Sequence, residues 1–422
     1  MQGRRFLLAL AAALGALASS GSAGAAEPSI ERLSFPDVIK LAKTHNPAVF
    51  RAITDIERSE ALVRQARASS LPIVQGNGAY TRLDGDREVA GRIAQGKDSL
   101  SLNLLVQVPI VAPSRWGAWR RAEDARDVAR ANLPATTREV VTAAAKAYLA
   151  ILFQKRAREA AIVARDVARS HLTFAERRFS GGVGTQIDVV RGAQEVATSE
   201  AQLSNATLGL ARTQEALGVI LGLDHPVDAA GDPSFVSAPT AADLTTRPDV
   251  RAQKALLDAA HRATNDNWRE YMPLLTAQFQ PFYQNPPTLT APLTGWQAQL
   301  VLAIPFYDGG LRYGLADERA AAEHAAKSRY DSALRQARSE IRLAAIAVAQ
   351  AHEILGHARK VAELARQASE LARIGYEGGA TSNLELVDAD RRARDADLQV
   401  VIAEDNLRQA ELDALTAAGQ VQ

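Results

Sequence analysis

Gly91-Arg92-Ile93-Ala94-Gln95-Gly96-Lys97-Asp98 nearly spells a phosphate-cradling loop. That chemistry needs Ser or Thr after the lysine to hold Mg²⁺, and a strand feeding a helix. Here Asp98 follows, and its charge would repel a phosphate. The segment reads instead as a join between two strands. The seven histidines (45, 171, 225, 261, 324, 352 and 357) include no i, i+4 pair of the zinc-holding kind. His352 and His357 are five apart and fall on different helix faces, in solvent. No Gly-x-Ser-x-Gly nucleophile elbow occurs. The absence of cysteine excludes thiolate metal sites, cysteine nucleophiles, disulfides and an acylated N-terminal cysteine. Asp and Glu abound, but they alternate with Arg along helical runs, the pattern of a solvated face. No catalytic residue, metal ligand or cofactor is expected.

What remains is a chain that positions rather than reacts. Its 49 basic and 48 acidic residues nearly cancel, whereas a nucleic-acid partner calls for a basic excess. The 422 residues suggest two or three domains. Aromatics usually supply much of a core's buried area, yet they make up only 5% against 47% hydrophobic. Much of the apolar content is alanine, the best helix former and a small contributor to burial. Long, thin helices are expected.

Residues 1–26 read as a signal peptide. Arg4-Arg5 give the positive end, Phe6 to Leu17 the apolar stretch, and Ala23-Gly24-Ala25-Ala26 the small residues for cleavage. No later stretch could span a bilayer as a helix. The mature protein is expected to be exported, and any membrane span must be built from strands.

The chain also repeats itself. Phe179-Ser180-Gly181-Gly182-Val183-Gly184-Thr185-Gln186-Ile187-Asp188 matches Tyr376-Glu377-Gly378-Gly379-Ala380-Thr381-Ser382-Asn383-Leu384-Glu385, with 376 against 179 giving an offset of 197. Val108-Pro109-Ile110 matches Ile304-Pro305-Phe306, Leu71-Pro72-Ile73 matches Met272-Pro273-Leu274, and Asn46-Pro47 matches Arg247-Pro248. Ordered landmarks at nearly constant offset mark a tandem duplication. The first repeat is 27–222 and the second 243–422. Residues 223–242, with Pro226, Pro233 and Pro239, read as the linker. Each repeat is expected to hold a helix, two strands, and a long helical hairpin. The strands fall near 72–83 and 99–110, then near 273–284 and 295–306.

The strands alternate. Leu100, Leu102, Leu104, Val106 and Val108 interleave with Ser101, Asn103 and Gln107. Leu275, Ala277 and Phe279 interleave with Thr276, Gln278 and Gln280. Period two with one apolar face sets that face against lipid or against a core. Each run has the length of about 10 residues that crosses a bilayer at a tilt. A half-buried soluble sheet shares the pattern, but the signal peptide and Tyr80, Tyr283 and Trp296 near the strand ends weigh toward a membrane. Four strands cannot close a barrel alone, and an open edge in lipid leaves backbone groups unpaired. Two chains would give eight strands and three would give twelve.

The helices are long. Ala135 to Phe179 would span roughly 68 Å and Tyr307 to Gly375 roughly 100 Å at the helical rise. Their narrow alanine seam suits coiled-coil packing. Gly181-Gly182 and Gly378-Gly379 end one arm of each hairpin, with tips near 180–185 and 376–382. Thr185 and Ser382 stand as N-caps for the returning helices.

Laid in order, these pieces resemble the TolC-like outer-membrane factor (outer membrane efflux protein) family. The likeness is carried by the duplication, Asn46-Pro47, Arg247-Pro248-Asp249-Val250, Ile304-Pro305-Phe306-Tyr307-Asp308-Gly309-Gly310 and the two glycine-rich tips. Leu384-Glu385-Leu386-Val387-Asp388-Ala389 is especially similar to the family's second tip. The resemblance implies a mostly α protomer with a transmembrane β portion. Three such chains would close a 12-stranded barrel in the Gram-negative outer membrane, continued into the periplasm by a helical coiled-coil barrel. It implies an exit duct for efflux or type I secretion, opened at its tips by a periplasmic adaptor and an inner-membrane transporter. It also places an acidic constriction at the tips, where Glu385 and Asp388 match. Those two are three apart and share a helix face; helix N-terminal acids that stabilise the macrodipole would look the same. The family's closed-state latch joins a tyrosine and an arginine of the second tip to the first. Tyr376 matches that tyrosine and Asp188 an acidic partner, while Thr381 stands where the arginine would be, leaving closure to other contacts. A non-conducting coiled-coil structural protein is the other reading, and it leaves the membrane-length strands unexplained.

Overall fold

The computed structural model describes residues 30–89, 92–233, 235, 244–288 and 292–419. The signal-like segment 1–26, residues 234 and 236–242 of the expected linker, and Gly91 of the phosphate-loop lookalike lie outside them. The first half runs β1 (Glu31–Leu33), α1 (Phe35–His45), α2 (Pro47–Ala68), β2 (Ile73–Arg82), β3 (Arg87–Val89), β4 (Arg92–Gln95), β5 (Asp98–Val111), α3 (Pro113–Ser180), α4 (Gln186–Leu221) and β6 (Val227–Ala229). The second runs α5 (Pro248–Asn265), β7 (Leu274–Asn285), β8 (Thr294–Ala303), α6 (Leu311–Glu377) and α7 (Asn383–Ala417). The protein is mostly α, with a small sheet that does not close within one chain.

Proline sets four helix starts. Pro36, Pro47, Pro113 and Pro248 each occupy the first turn, where the missing N–H costs nothing. The residues before Pro47 and Pro248 are extended, as a following proline requires. A further proline corrects the sequence reading. The first long helix was expected over Ala135 to Phe179, but α3 runs for 68 residues and holds Pro134 inside it. Such a proline removes one ladder bond. The stretch before it stays helical because it packs along α2 and α5. α6 has 67 residues, so the two long helices are matched in length.

The main core gathers where α1, the middle of α3 and the end of α4 meet, with Val38, Val141, Tyr148, Leu149, Leu217 and Val227 buried. β1 pairs in parallel with β6, Leu33 facing Ala229. The stretch read as linker therefore begins as a buried strand. Asp228 holds it, taking Lys155 Nζ at 2.7 Å and a hydrogen bond from Gln214 at 3.0 Å. Beyond this core the helices meet on alanine. Ala337, Ala344 and Ala351 recur at seven on α6, and Ala396, Ala403 and Ala410 at seven on α7. That spacing is a coiled-coil seam, and small knobs let the backbones approach closely. Among the described residues no helix is long and apolar enough to cross a membrane.

The four longer strands form one antiparallel sheet, in the order β2-β5-β7-β8. β2 and β8 are its edges, and neither has an outer neighbour among the described residues. Val74, Leu102, Phe279 and Leu300 share one face, exposed to solvent in the single chain.

Each half is tied shut by the residue before its helix-starting proline. Asn46 Nδ2 donates to the carbonyl of Ile220 at 2.6 Å, and its Oδ1 accepts from Ala48 N at 2.7 Å. Arg247, 1% exposed, donates to the carbonyl of Ala417 at 3.1 Å. Arg247 also reaches Asp249 and Glu340, each at 2.7 Å. The two carboxylates remain about a third exposed and would regain water if Arg247 were lost. The Arg247→Met variant is thus expected to cost about 1.5–3 kcal/mol, the range for hydrogen bonds to charged groups. The neutral tie costs less, about 1 kcal/mol in Asn46→Ala. Thermal midpoints by far-UV circular dichroism should fall in that order; an unshifted Arg247→Met midpoint would show the tie to be idle.

Candidate functional site at the helical tips

α3 ends on a left-handed glycine turn. Gly181 is still helical, and Gly182 takes φ +75°. Val183 N then donates back to the carbonyl of Arg178 at 3.0 Å. A Cβ on Gly184 would sit 2.8 Å from Phe179 N. The second tip repeats this plan. Gly378 is helical, Gly379 takes φ +78°, and Ala380 N donates to the carbonyl of Gly375 at 2.7 Å. In each pair only the second glycine needs the left-handed region.

The returning helices begin differently. Ser382 and Glu385 form a reciprocal capping box: Glu385 N donates to Ser382 Oγ at 3.3 Å, and Ser382 N to Glu385 Oε2 at 2.8 Å. Thr185 makes no side-chain cap to the backbone; its hydroxyl donates to Asp188 Oδ2 at 2.7 Å. That leaves Asp188 Oδ1 to accept Asn383 Nδ2 across the two hairpins at 3.0 Å.

Tyr376 also faces the first hairpin. Its ring is 8% exposed. Phe174 meets it edge-on at 5.8 Å between centroids, and the Arg178 guanidinium carbon lies 4.8 Å from its centre. Asp188 and Tyr376, expected as latch partners, share no hydrogen bond among the described residues. Each instead crosses between the hairpins by its own contact. Thr381 donates to the carbonyl of Ala372 at 3.1 Å and stays within its own turn. Glu385 and Asp388 line an exposed groove between α6 and α7, with Val361, Leu364 and Arg392. Asp388 pairs with Arg392 at 2.7 Å.

Composition missed a further polar crossing. His171 Nε2 on α3 lies 2.7 Å from Asp390 Oδ2 on α7. Ser369 Oγ on α6 donates to Asp390 Oδ1, and Arg394 on α7 pairs with Glu195 on α4. The signal was present: His171, Phe174 and Arg178 are three and four apart, one face of α3. Among the described residues no cluster could hold a metal ion.

Asp188 and Asp390 are both held below the usual range. For Asp188 the Thr185 hydroxyl is the main cause, and Asn383 adds to it against a burial penalty. For Asp390 burial pushes up, but hydrogen bonds from His171 and Ser369 outweigh it. A depressed folded-state pKa stabilises above the ordinary carboxylate value and loses that contribution as pH falls through the folded one. Unfolding midpoints should therefore drop below about pH 4. The Asp188→Asn/Asp390→Asn double variant should drop less over the same interval; an equal drop would place the acid sensitivity elsewhere.

The fold as a whole has structural counterparts. The Campylobacter jejuni CmeC outer membrane channel superposes with a TM-score of 0.82 at 16% identity, over 92% of this chain and 85% of that one. The outer membrane protein VceC from Vibrio cholerae gives 0.78 at 19% identity, over 91% and 96%. At such identities the likeness is one of fold. The fusaric acid resistance protein FusA of Burkholderia cepacia is 23% identical over 285 residues, 60% of this chain. The chain spans about half (52%) of that curated relative's length. The model of the outer membrane efflux protein family matches residues 38–223 and again 242–420. The chain belongs to the outer membrane efflux protein family.

Proposed function

We propose that three copies of this chain form an exit duct across the Gram-negative outer membrane and into the periplasm, for efflux or type I secretion. The sheet carries the reading. Its four antiparallel strands reach membrane-crossing length, one face is apolar, and neither edge has an outer neighbour among the described residues. Lipid offers no partner for backbone edges, so the sheet must close on other copies. β8 runs antiparallel to β2, so one copy's β8 can pair with the next copy's β2 and keep strand direction alternating. Three copies give twelve strands, an even count as such barrels require. The apolar face then meets outer membrane lipid. Family membership supports the trimer, and a relative named for fusaric acid resistance supports efflux over secretion.

The two hairpins, with long arms of roughly 100 Å and returning arms of roughly 50 Å at the helical rise, would line the periplasmic tunnel. A periplasmic adaptor (membrane fusion) protein would engage their tips, and an inner-membrane transporter would supply the energy. In the closed state the hairpins are held by Asn383–Asp188 and by Tyr376 against Phe174 and Arg178. Opening separates them, a change of packing between discrete states. Three copies of Glu385 and Asp388 at the constriction would favour cations. A non-conducting coiled-coil stalk would leave the two sheet edges without a purpose.

Planar-bilayer recording tests this. The wild-type channel should open in small steps, and Arg178→Ala/Asp188→Ala should enlarge them several-fold. Unchanged steps would sink the proposed gate, and no unitary steps in either protein would sink the duct.

A further inference from the structure

The polar face of the sheet is polar without being charged. Across residues 73–81, 99–109, 274–284 and 295–303, all described, that face carries no Asp, Glu, Lys, Arg or His. It carries carboxamides, and the strand register sets them side by side. Asn77 lies opposite Asn103 and donates to its Oδ1 at 3.0 Å. Gln297 lies opposite Gln280 and donates to its Oε1 at 2.7 Å. Gln278 stands in register with Gln107 on one side and Gln299 on the other. Above these rungs the Phe282 ring covers Gly295 so closely that a Cβ there would meet it at 2.7 Å.

A carboxamide donates and accepts hydrogen bonds but carries no net charge. Channels that select by sign do so with rings of carboxylates or cationic side chains at a constriction. Amides bonded to one another across strands keep the wall wet while setting up no field of either sign. We infer that in the duct proposed above, on which this inference rests, the barrel segment is a charge-indifferent carboxamide sleeve. It passes anionic, cationic and neutral hydrogen-bonding cargo alike, and selection by sign falls to the helical part.

The chain's lack of cysteine makes the test clean, because an introduced thiol is the only one. The full chain, reconstituted in phospholipid vesicles, is probed with a cationic trimethylammonium-ethyl and an anionic sulfonatoethyl methanethiosulfonate. Gln278→Cys should react with both, at a rate ratio within about twofold of that for a small free thiol, since no local field concentrates either reagent. Adding Gln299→Glu beside it should shift the ratio about tenfold or more toward the cation, the size of effect charged walls produce. Leu300→Cys, on the apolar face, should stay unlabelled. Gln299→Cys repeats the reading one strand over, should Gln278→Cys fold poorly. A ratio already shifted about tenfold without the added carboxylate would overturn the sleeve and leave the duct standing. Labelling of Leu300→Cys but not of Gln278→Cys, or of neither, would overturn the duct and the sleeve together.

Discussion

The chain comes back to its starting point twice, and each time a side chain catches a helix-end carbonyl. Such carbonyls have no partner within their own helix. Asn46 takes the one at Ile220, and Arg247 the one at Ala417. A left-handed glycine follows in both halves, Gly222 and Gly419. At Gly222 a Cβ would come within 2.6 Å of the His45 carbonyl. In the first half turn and tie therefore depend on each other, because only glycine lets the last turn approach the start of the repeat. With both ends held at this waist, α3 runs from the sheet at Pro113, through the core near Tyr148, to the tip at Ser180. Sheet and tips are thrown to opposite ends of one rigid element.

Duplication supplied two copies of this plan, and the copies have divided their labour at the tips. Asp188 and Glu385 occupy the same place in the repeat. Glu385 closes a capping box with Ser382 and is used within its own turn. Asp188 is bonded on one oxygen by Thr185, so its other oxygen reaches Asn383 on the neighbouring hairpin. One hydroxyl placed differently thus decides which acid stays local and which crosses. The asymmetry at the waist is similar. Asn46 makes a neutral tie, while Arg247 adds two carboxylates from α5 and α6 and binds three elements together.

What could be read from the sequence was local in its physics. Leu100 to Val108 announced a two-faced strand because alternation needs no partner to be visible. Gly181-Gly182 and Gly378-Gly379 announced tips because few residues accept the left-handed turn. Pro134 misled, since packing along α2 and α5 outweighs the one bond it removes. β6 was unreadable: three residues hold as a strand only because Leu33 and its neighbours lie alongside and Lys155 reaches Asp228. The crossings at the tips were half legible. The face made by His171, Phe174 and Arg178 could be seen, but Asp390 and Tyr376, which meet it, lie about two hundred residues away.

The edges of the sheet have a genetic consequence. In the three-chain ring proposed above, admission would depend on β2 and β8, whereas performance would depend on tips at the far end of α3 and α6. A defect that spoils an edge keeps its bearer out of every ring, and sound chains assemble without it. Such an allele would be recessive. A defect confined to a tip leaves the edges intact, so its bearer is admitted and poisons its two companions. With equal numbers of sound and tip-defective chains mixing at random, about one ring in eight is wholly sound. Dominance would therefore map onto position along the molecule, rising from the sheet toward the tips.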